Sequence, residues 1–88
     1  MVKYIVTYNI NAPLRLRRLQ NMIQREAGWA RLNANTYIVD SDDSAVQLRD
    51  RLKGVLVNGD SLFVGELHSP TAWIGLNEEV SNWIRKNM

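Results

Sequence analysis

The chain has 88 residues, of which 45% are hydrophobic and 23% charged, so we expect one globular domain over residues 1–88 rather than a disordered segment. The absence of cysteine excludes disulfides, a thiolate nucleophile and a cysteine zinc site. The net charge of +2 is unevenly distributed, because five arginines fall between positions 15 and 31 with a single acid, Glu26, whereas most acids come later.

The first residues, Met1 to Tyr4, lack the long apolar run of a signal peptide. No segment approaches the roughly 20 apolar residues that a membrane span needs. We therefore expect a cytoplasmic protein with no membrane partner.

Residues 3 to 10 alternate between two faces and are rich in β-branched and aromatic types, which predicts a strand. Its end carries the first candidate site, formed by Tyr8, Asn9 and Asn11. A short polar side chain where a strand meets a helix lies beside backbone N–H groups, which suits a metal, a phosphate or a scissile bond. Asn9 can equally serve the turn itself, as asparagine often does.

The amide of Asn9 lacks the negative charge that magnesium takes from a carboxylate. We therefore predict no catalytic residue and no metal ligand at this junction, and no cofactor. Magnesium or manganese would enter only if the chain were a nuclease.

A helix is predicted next, with Asn11 as its N-cap, Pro13 in its first turn and Gly28 as its stop. Its apolar residues recur at three- and four-residue spacing and would face the core. The arginines lie off this stripe, either as a merely solvated face or as a phosphate-binding surface. The candidate nucleic-acid-binding residues are Arg15, Arg17, Arg18, Arg25 and Arg31.

Period-two alternation from Trp29 to Asp40 predicts one long strand. Ser41, Asp42 and Asp43 are then expected to cap a second helix, whose acids would suit its dipole. The buried stripe of that helix is predicted to contain Ala45, Leu48, Leu52, Val55 and Leu56.

A turn at residues 58–60 leads to a strand over residues 61–67. In the tail we predict a short edge strand over residues 71–74, then a helix that Asn77 caps. The strand–helix–strand–helix–strand order favours an α/β (α+β) sandwich with two helices on one face of the sheet. No fourth strand is evident, so an open sheet edge would favour a homodimer.

Several short segments resemble the CRISPR-associated protein 2 family and its SinR-like small bacterial relatives. They include the strand ending in Tyr8-Asn9-Ile10, the basic helix, Ala34-Asn35-Thr36-Tyr37, Gly59-Asp60-Ser61, Glu66-Leu67, Trp73 and Trp83-Ile84-Arg85-Lys86-Asn87. The resemblance spans nearly the whole chain. It implies a ferredoxin-like fold, a homodimer and a relationship to proteins that bind or cut nucleic acid, including the virulence-associated D ribonucleases.

Nuclease members of the family carry an aspartate where this chain has Asn9. The leading expectation is therefore a homodimeric nucleic-acid-associated protein, for DNA or RNA, with little or no catalysis. The alternatives are a divergent metal-dependent endonuclease of the same family and a small defence or counter-defence protein that binds a protein partner.

Overall fold

The computed structural model describes all 88 residues as one four-stranded antiparallel sheet with three α-helices. The strands are β1 (Val2–Asn9), β2 (Gly28–Asn33), β3 (Thr36–Ser41) and β4 (Ser61–Glu66). The helices are α1 (Pro13–Ile23), α2 (Ala45–Leu52) and α3 (Glu78–Asn87), and a 3-10 turn, Lys53–Val55, follows α2. None of the helices combines the length and apolarity needed to cross a bilayer.

The spatial order of the strands is β2-β3-β1-β4, and every neighbouring pair is antiparallel. Together with the chain order β1-α1-β2-β3-α2-β4, this is the arrangement of a ferredoxin-like sandwich with an added C-terminal helix. The predicted fold class is thus confirmed.

The prediction of one long strand from Trp29 to Asp40 was wrong, because that segment is the hairpin of β2 and β3. Its two-residue turn, Ala34-Asn35, is closed by the Asn33 side chain, whose Oδ1 accepts from the Asn35 N–H at 2.9 Å. A two-residue loop alone would reverse the alternation of faces, but a bulge between Arg31 and Asn33 adds one residue and restores it, so the sequence pattern concealed the turn. The hairpin supplies the fourth strand that the pattern did not reveal.

One face of the sheet is covered by α1 and α2. Tyr4, Val6 and Tyr8 of β1 point to this face beside Tyr37 and Val39 of β3. These strand residues form one core cluster with buried residues of the two helices, namely Leu19, Ile23, Leu48 and Leu52. The predicted inward stripes of both helices are therefore confirmed in their centres. Val55 and Leu56, predicted for the stripe of the second helix, instead lie after α2 and are half-buried.

Three predicted helix boundaries were wrong. Ala12, not Asn11, is the N-cap of α1, and α1 ends at Ile23 rather than running to Gly28, which begins β2. The cap of α2 is Ser44, not residues 41–43. Ser44 forms a capping box with Gln47, in which each side chain bonds the other residue's backbone N–H at 3.1 and 2.9 Å, and this reciprocal pairing outcompetes the preceding acids.

The third helix covers part of the opposite face. Ala30 and Ile38 point away from α1 and α2 yet are buried, and α3 is the helix that contacts β2. Asn77 caps α3 as predicted, with Oδ1 2.8 Å from the Val80 N–H. No strand forms at residues 71–74, which corrects that prediction. Instead Trp73 anchors the segment before α3, since its Nε1 donates to Ser81 Oγ at 3.0 Å.

Candidate nucleic-acid interface

The strand-tip residues do not form a cluster. Tyr8 is buried on the face that α1 covers, whereas Asn9 is the next residue of the strand, points to the other face and is exposed. Asn11 is exposed in the bend between β1 and α1. The three side chains therefore do not share a direction, although they are close in sequence.

Tyr8 has a structural role in this arrangement. Its hydroxyl donates to the Ala34 carbonyl at 3.0 Å and accepts from Gln20 Nε2 at 3.3 Å, and its backbone N–H donates to the Asn35 carbonyl at 3.1 Å. Burial raises the pKa of Tyr8 above its ordinary value. The residue thus joins α1 to the β2-β3 turn as a neutral phenol at physiological pH.

Nowhere in the chain do three or more histidine, aspartate or glutamate side chains converge in a way that could hold a metal. His68 is exposed, with Nε2 3.2 Å from Glu66 Oε1. Four aspartates later in the chain, Asp40, Asp43, Asp50 and Asp60, each form an ion pair with a lysine or an arginine.

The arginines of the basic stripe differ in their partners. Arg15 makes a two-pronged contact with Asp60, in which Nε lies 3.1 Å from Oδ2 and Nη2 lies 3.0 Å from Oδ1. The Val57 N–H also donates to Asp60 Oδ2 at 3.1 Å. Arg15 and, to a smaller degree, this N–H hold the pKa of Asp60 below its ordinary value. Arg15 therefore fastens α1 to the turn before β4 and is not a free cation.

Arg17, Arg18, Arg25 and Arg31 form no salt bridge and are all exposed. Arg17 and Arg18 are neighbours on a helix, so their side chains diverge by about 100°. Arg31 lies on the outer strand β2 and belongs to a different part of the surface. The five predicted binding residues thus separate into one arginine that is engaged in an ion pair and four that are not.

Arg18 and Arg25 do share a surface, which we call the α1 groove. This depression of about 270 Å³ is lined by Arg18, Asn21, Met22, Arg25 and Val55. Val55 belongs to the 3-10 turn after α2, so the groove lies between that turn and α1. Two unpaired guanidinium groups border it, and the Asn21 amide lies between them in sequence.

A neighbouring depression of about 290 Å³ shares Met22 and Arg25 with the α1 groove and continues to Glu26 and Arg51. Arg51 Nη2 lies 2.7 Å from Glu26 Oε1, and its other terminal nitrogen contacts Asp43. The positive charge of Arg51 in this neighbouring depression is therefore compensated. The uncompensated part of the surface is the α1 groove itself.

The sequence pattern missed two residues of the groove. Asn21 lies three residues after Arg18 and four before Arg25, so helical spacing could have placed it on their stripe. Val55 comes from an element 30 residues after Arg25, and only the packing of the two elements brings them together.

Comparison with known proteins adds no family assignment, since neither a protein-family model nor a curated protein matches the chain.

Proposed function

We propose that this protein is a homodimeric nucleic-acid-associated protein, resembling the CRISPR-associated protein 2 family, which binds phosphates in the α1 groove without cutting the strand. The observation that carries the proposal is the pair of unpaired, exposed cations, Arg18 and Arg25, on the border of one groove. Guanidinium groups bind phosphate oxygens with paired N–H donors, and such contacts do not depend on base sequence.

The role of Asn21 follows from its position in the groove. Its amide N–H₂ can donate to a phosphate oxygen between the two arginines, while the side chains of Met22 and Val55 add apolar lining that carries no charge. Backbone binding of this kind contributes affinity and salt dependence rather than sequence preference.

The proposed dimer is supported by the part of the sheet that α3 leaves open. Phe63 of β4 is 61% exposed, and its ring lies over Gly65, beside Ile5 of β1 on the same face. Ile74, in the segment between β4 and α3, is 96% exposed. An apolar face of this kind is the surface on which a second copy would bury area.

The binding test is fluorescence anisotropy with labelled single-stranded and duplex DNA and RNA between 50 and 200 mM salt. The double variant Arg18→Ala/Arg25→Ala should weaken binding, and its log–log salt slope should fall by about two units for each groove of the dimer that contacts the duplex, since each lost phosphate contact removes about 0.9. The control, Arg17→Ala/Lys86→Ala, removes the same net charge at exposed positions that form no salt bridge and lie outside the groove. Equal losses in both variants would contradict a localised site.

The same samples, run on a denaturing gel with magnesium or manganese, test the absence of cleavage. We expect intact substrate with the natural protein, because a neutral amide at Asn9 gives no general-base help, which is typically worth about 100- to 10,000-fold. Cleavage that a chelator abolishes would favour the nuclease alternative. Activity gained only in Asn9→Asp would identify a nuclease scaffold that lacks its acid.

A further inference from the structure

A second depression, which we call the edge cleft, lies beside β2 and has a volume of about 370 Å³. Its walls combine three consecutive strand residues with the first half of α3. The lining residues are Trp29, Ala30, Arg31, Asn77, Glu79, Val80 and Trp83. The three strand residues are consecutive on β2, so the cleft follows this strand beside α3.

That edge of the sheet is unpaired. β2 is the outermost strand, and β3 is its only neighbour. None of the backbone hydrogen bonds formed outside the helices and strands involves residues 28–33. Apart from the Asn33 carbonyl, which accepts from Arg31 Nε, the backbone donors and acceptors on the outer side of β2 are therefore available to another extended chain.

The side chains along β2 determine which residues an added strand would need at each position. Ala30 points to the α3 side, next to Val80 and Trp83, whereas Trp29 and Arg31 point to the side of α1 and α2. Trp29 is 37% exposed, with its ring 5.8 Å from that of Tyr37 in an edge-to-face arrangement. A strand paired with β2 would thus place one side chain in the apolar part of the cleft and its two neighbours opposite Trp29 and Arg31.

The charges select between side chains at these positions. Arg31 has no ion pair, and its Nε reaches only the Asn33 carbonyl, at 3.3 Å. An acid opposite Arg31 would supply the missing counter-charge. Glu79 stands on the α3 wall, so an acid inside the cleft itself would be repelled. The central side chain should therefore be apolar.

We propose that the edge cleft binds an extended peptide segment of a partner protein, added to the sheet as a fifth strand beside β2. Its recognition signature is an apolar residue in the cleft, an acid opposite Arg31 and an aromatic or aliphatic residue opposite Trp29. Main-chain pairing provides affinity, and the alternate side chains provide specificity. The site is separate from the α1 groove and does not depend on nucleic-acid binding.

The test uses two capped seven-residue peptides, each with two threonines on either side of a central triplet. The triplet Glu-Leu-Phe matches antiparallel pairing with β2, and the reverse order, Phe-Leu-Glu, matches parallel pairing. Tryptophan fluorescence should report saturable binding of one order. Methylating alternate backbone amides in two frames should abolish binding in one frame and preserve it in the other, since only alternate amides of a strand face its neighbour. Binding in both frames would overturn strand addition.

The charge requirement is tested by Arg31→Glu, which should weaken binding at least 10-fold, while replacing the peptide's acid with lysine should restore it. The matched control is Arg17→Glu, an equal charge change at an exposed residue outside the cleft, and circular dichroism checks the fold of both variants. Equal effects of the two variants would overturn the proposal, as would no binding of either peptide order at 1 mM.

Two further outcomes would assign the edge cleft to other occupants and so also overturn the proposal. One is protection of β2 amides from hydrogen exchange in a dimer of the protein alone, which would show a second copy on the edge. The other is displacement of the peptide by oligothymidylate with the same dependence on Arg31, which would show a nucleic-acid site.

Discussion

Gly28 offers a sharp test of how the sheet is packed. A Cβ built on Gly28 would lie 2.7 Å from Asp40 Oδ2, closer than non-bonded carbon and oxygen approach. Asp40 is 7% exposed and directly opposite Gly28 in the β2-β3 pair. Its other oxygen, Oδ1, lies 2.8 Å from Lys3 Nζ and forms an ion pair with it. The carboxylate therefore cannot yield without weakening that pair.

We predict that Gly28→Ala lowers the free energy of unfolding by about 1 to 2 kcal/mol. Overpacking of a buried site costs about 1 to 3 kcal/mol, and the lower entropy of the unfolded alanine chain returns about 0.4 to 1 kcal/mol. Urea unfolding followed by circular dichroism measures the change, and the thermal midpoint should fall by about 4 to 8 °C per kcal/mol.

The matched control is Gly54→Ala, because nothing lies within 4 Å of a Cβ at Gly54 and its φ is not positive. This variant should be neutral or slightly stabilised. In an Asp40→Ala background the cost of Gly28→Ala should largely disappear, since the obstructing carboxylate is gone. If Gly28→Ala is as stable as Gly54→Ala, or if its cost persists without Asp40, the proposed clash is not the reason for glycine at this position.

Three other outcomes are expected. Because the pKa of Asp60 is lowered in the folded protein, the ionised Asp60 stabilises the fold fully above about pH 4, and this contribution is lost as the pH falls through the lowered pKa. Arg15→Gln should therefore reduce the fall in the free energy of unfolding, measured with urea, between about pH 4 and lower pH. An unchanged fall would contradict this. Ser44→Ala should cost about 1 kcal/mol by the same measurement, whereas Asn11→Ala should cost nearly nothing, because Asn11 does not cap α1. Light scattering at high micromolar concentration should show a dimer, and Phe63→Glu should dissociate it. A well-packed dimer interface would bury more than about 1,000 Å². A natural protein that is monomeric at this concentration would refute the proposed dimer.

Local patterns in the sequence were sufficient for most elements of the fold. Alternation predicted β1 and β4, helical spacing predicted the buried stripes of α1 and α2, and Asn77 marked the start of α3. These features depend on residues within a few positions of one another, so periodicity and capping rules can detect them.

Other features depend on the tertiary structure, and sequence periodicity could not predict them. The bulge in β2 compensated the two-residue turn and kept the alternation intact, so only strand pairing revealed the β2-β3 turn. Arg15 looked like its neighbouring arginines until folding brought Asp60, 45 positions away, against it. Likewise, Val55 completes the α1 groove, and α3 completes the edge cleft beside β2. Charge pairing and cavities depend on distances across the fold, and a linear pattern of residue types does not contain those distances.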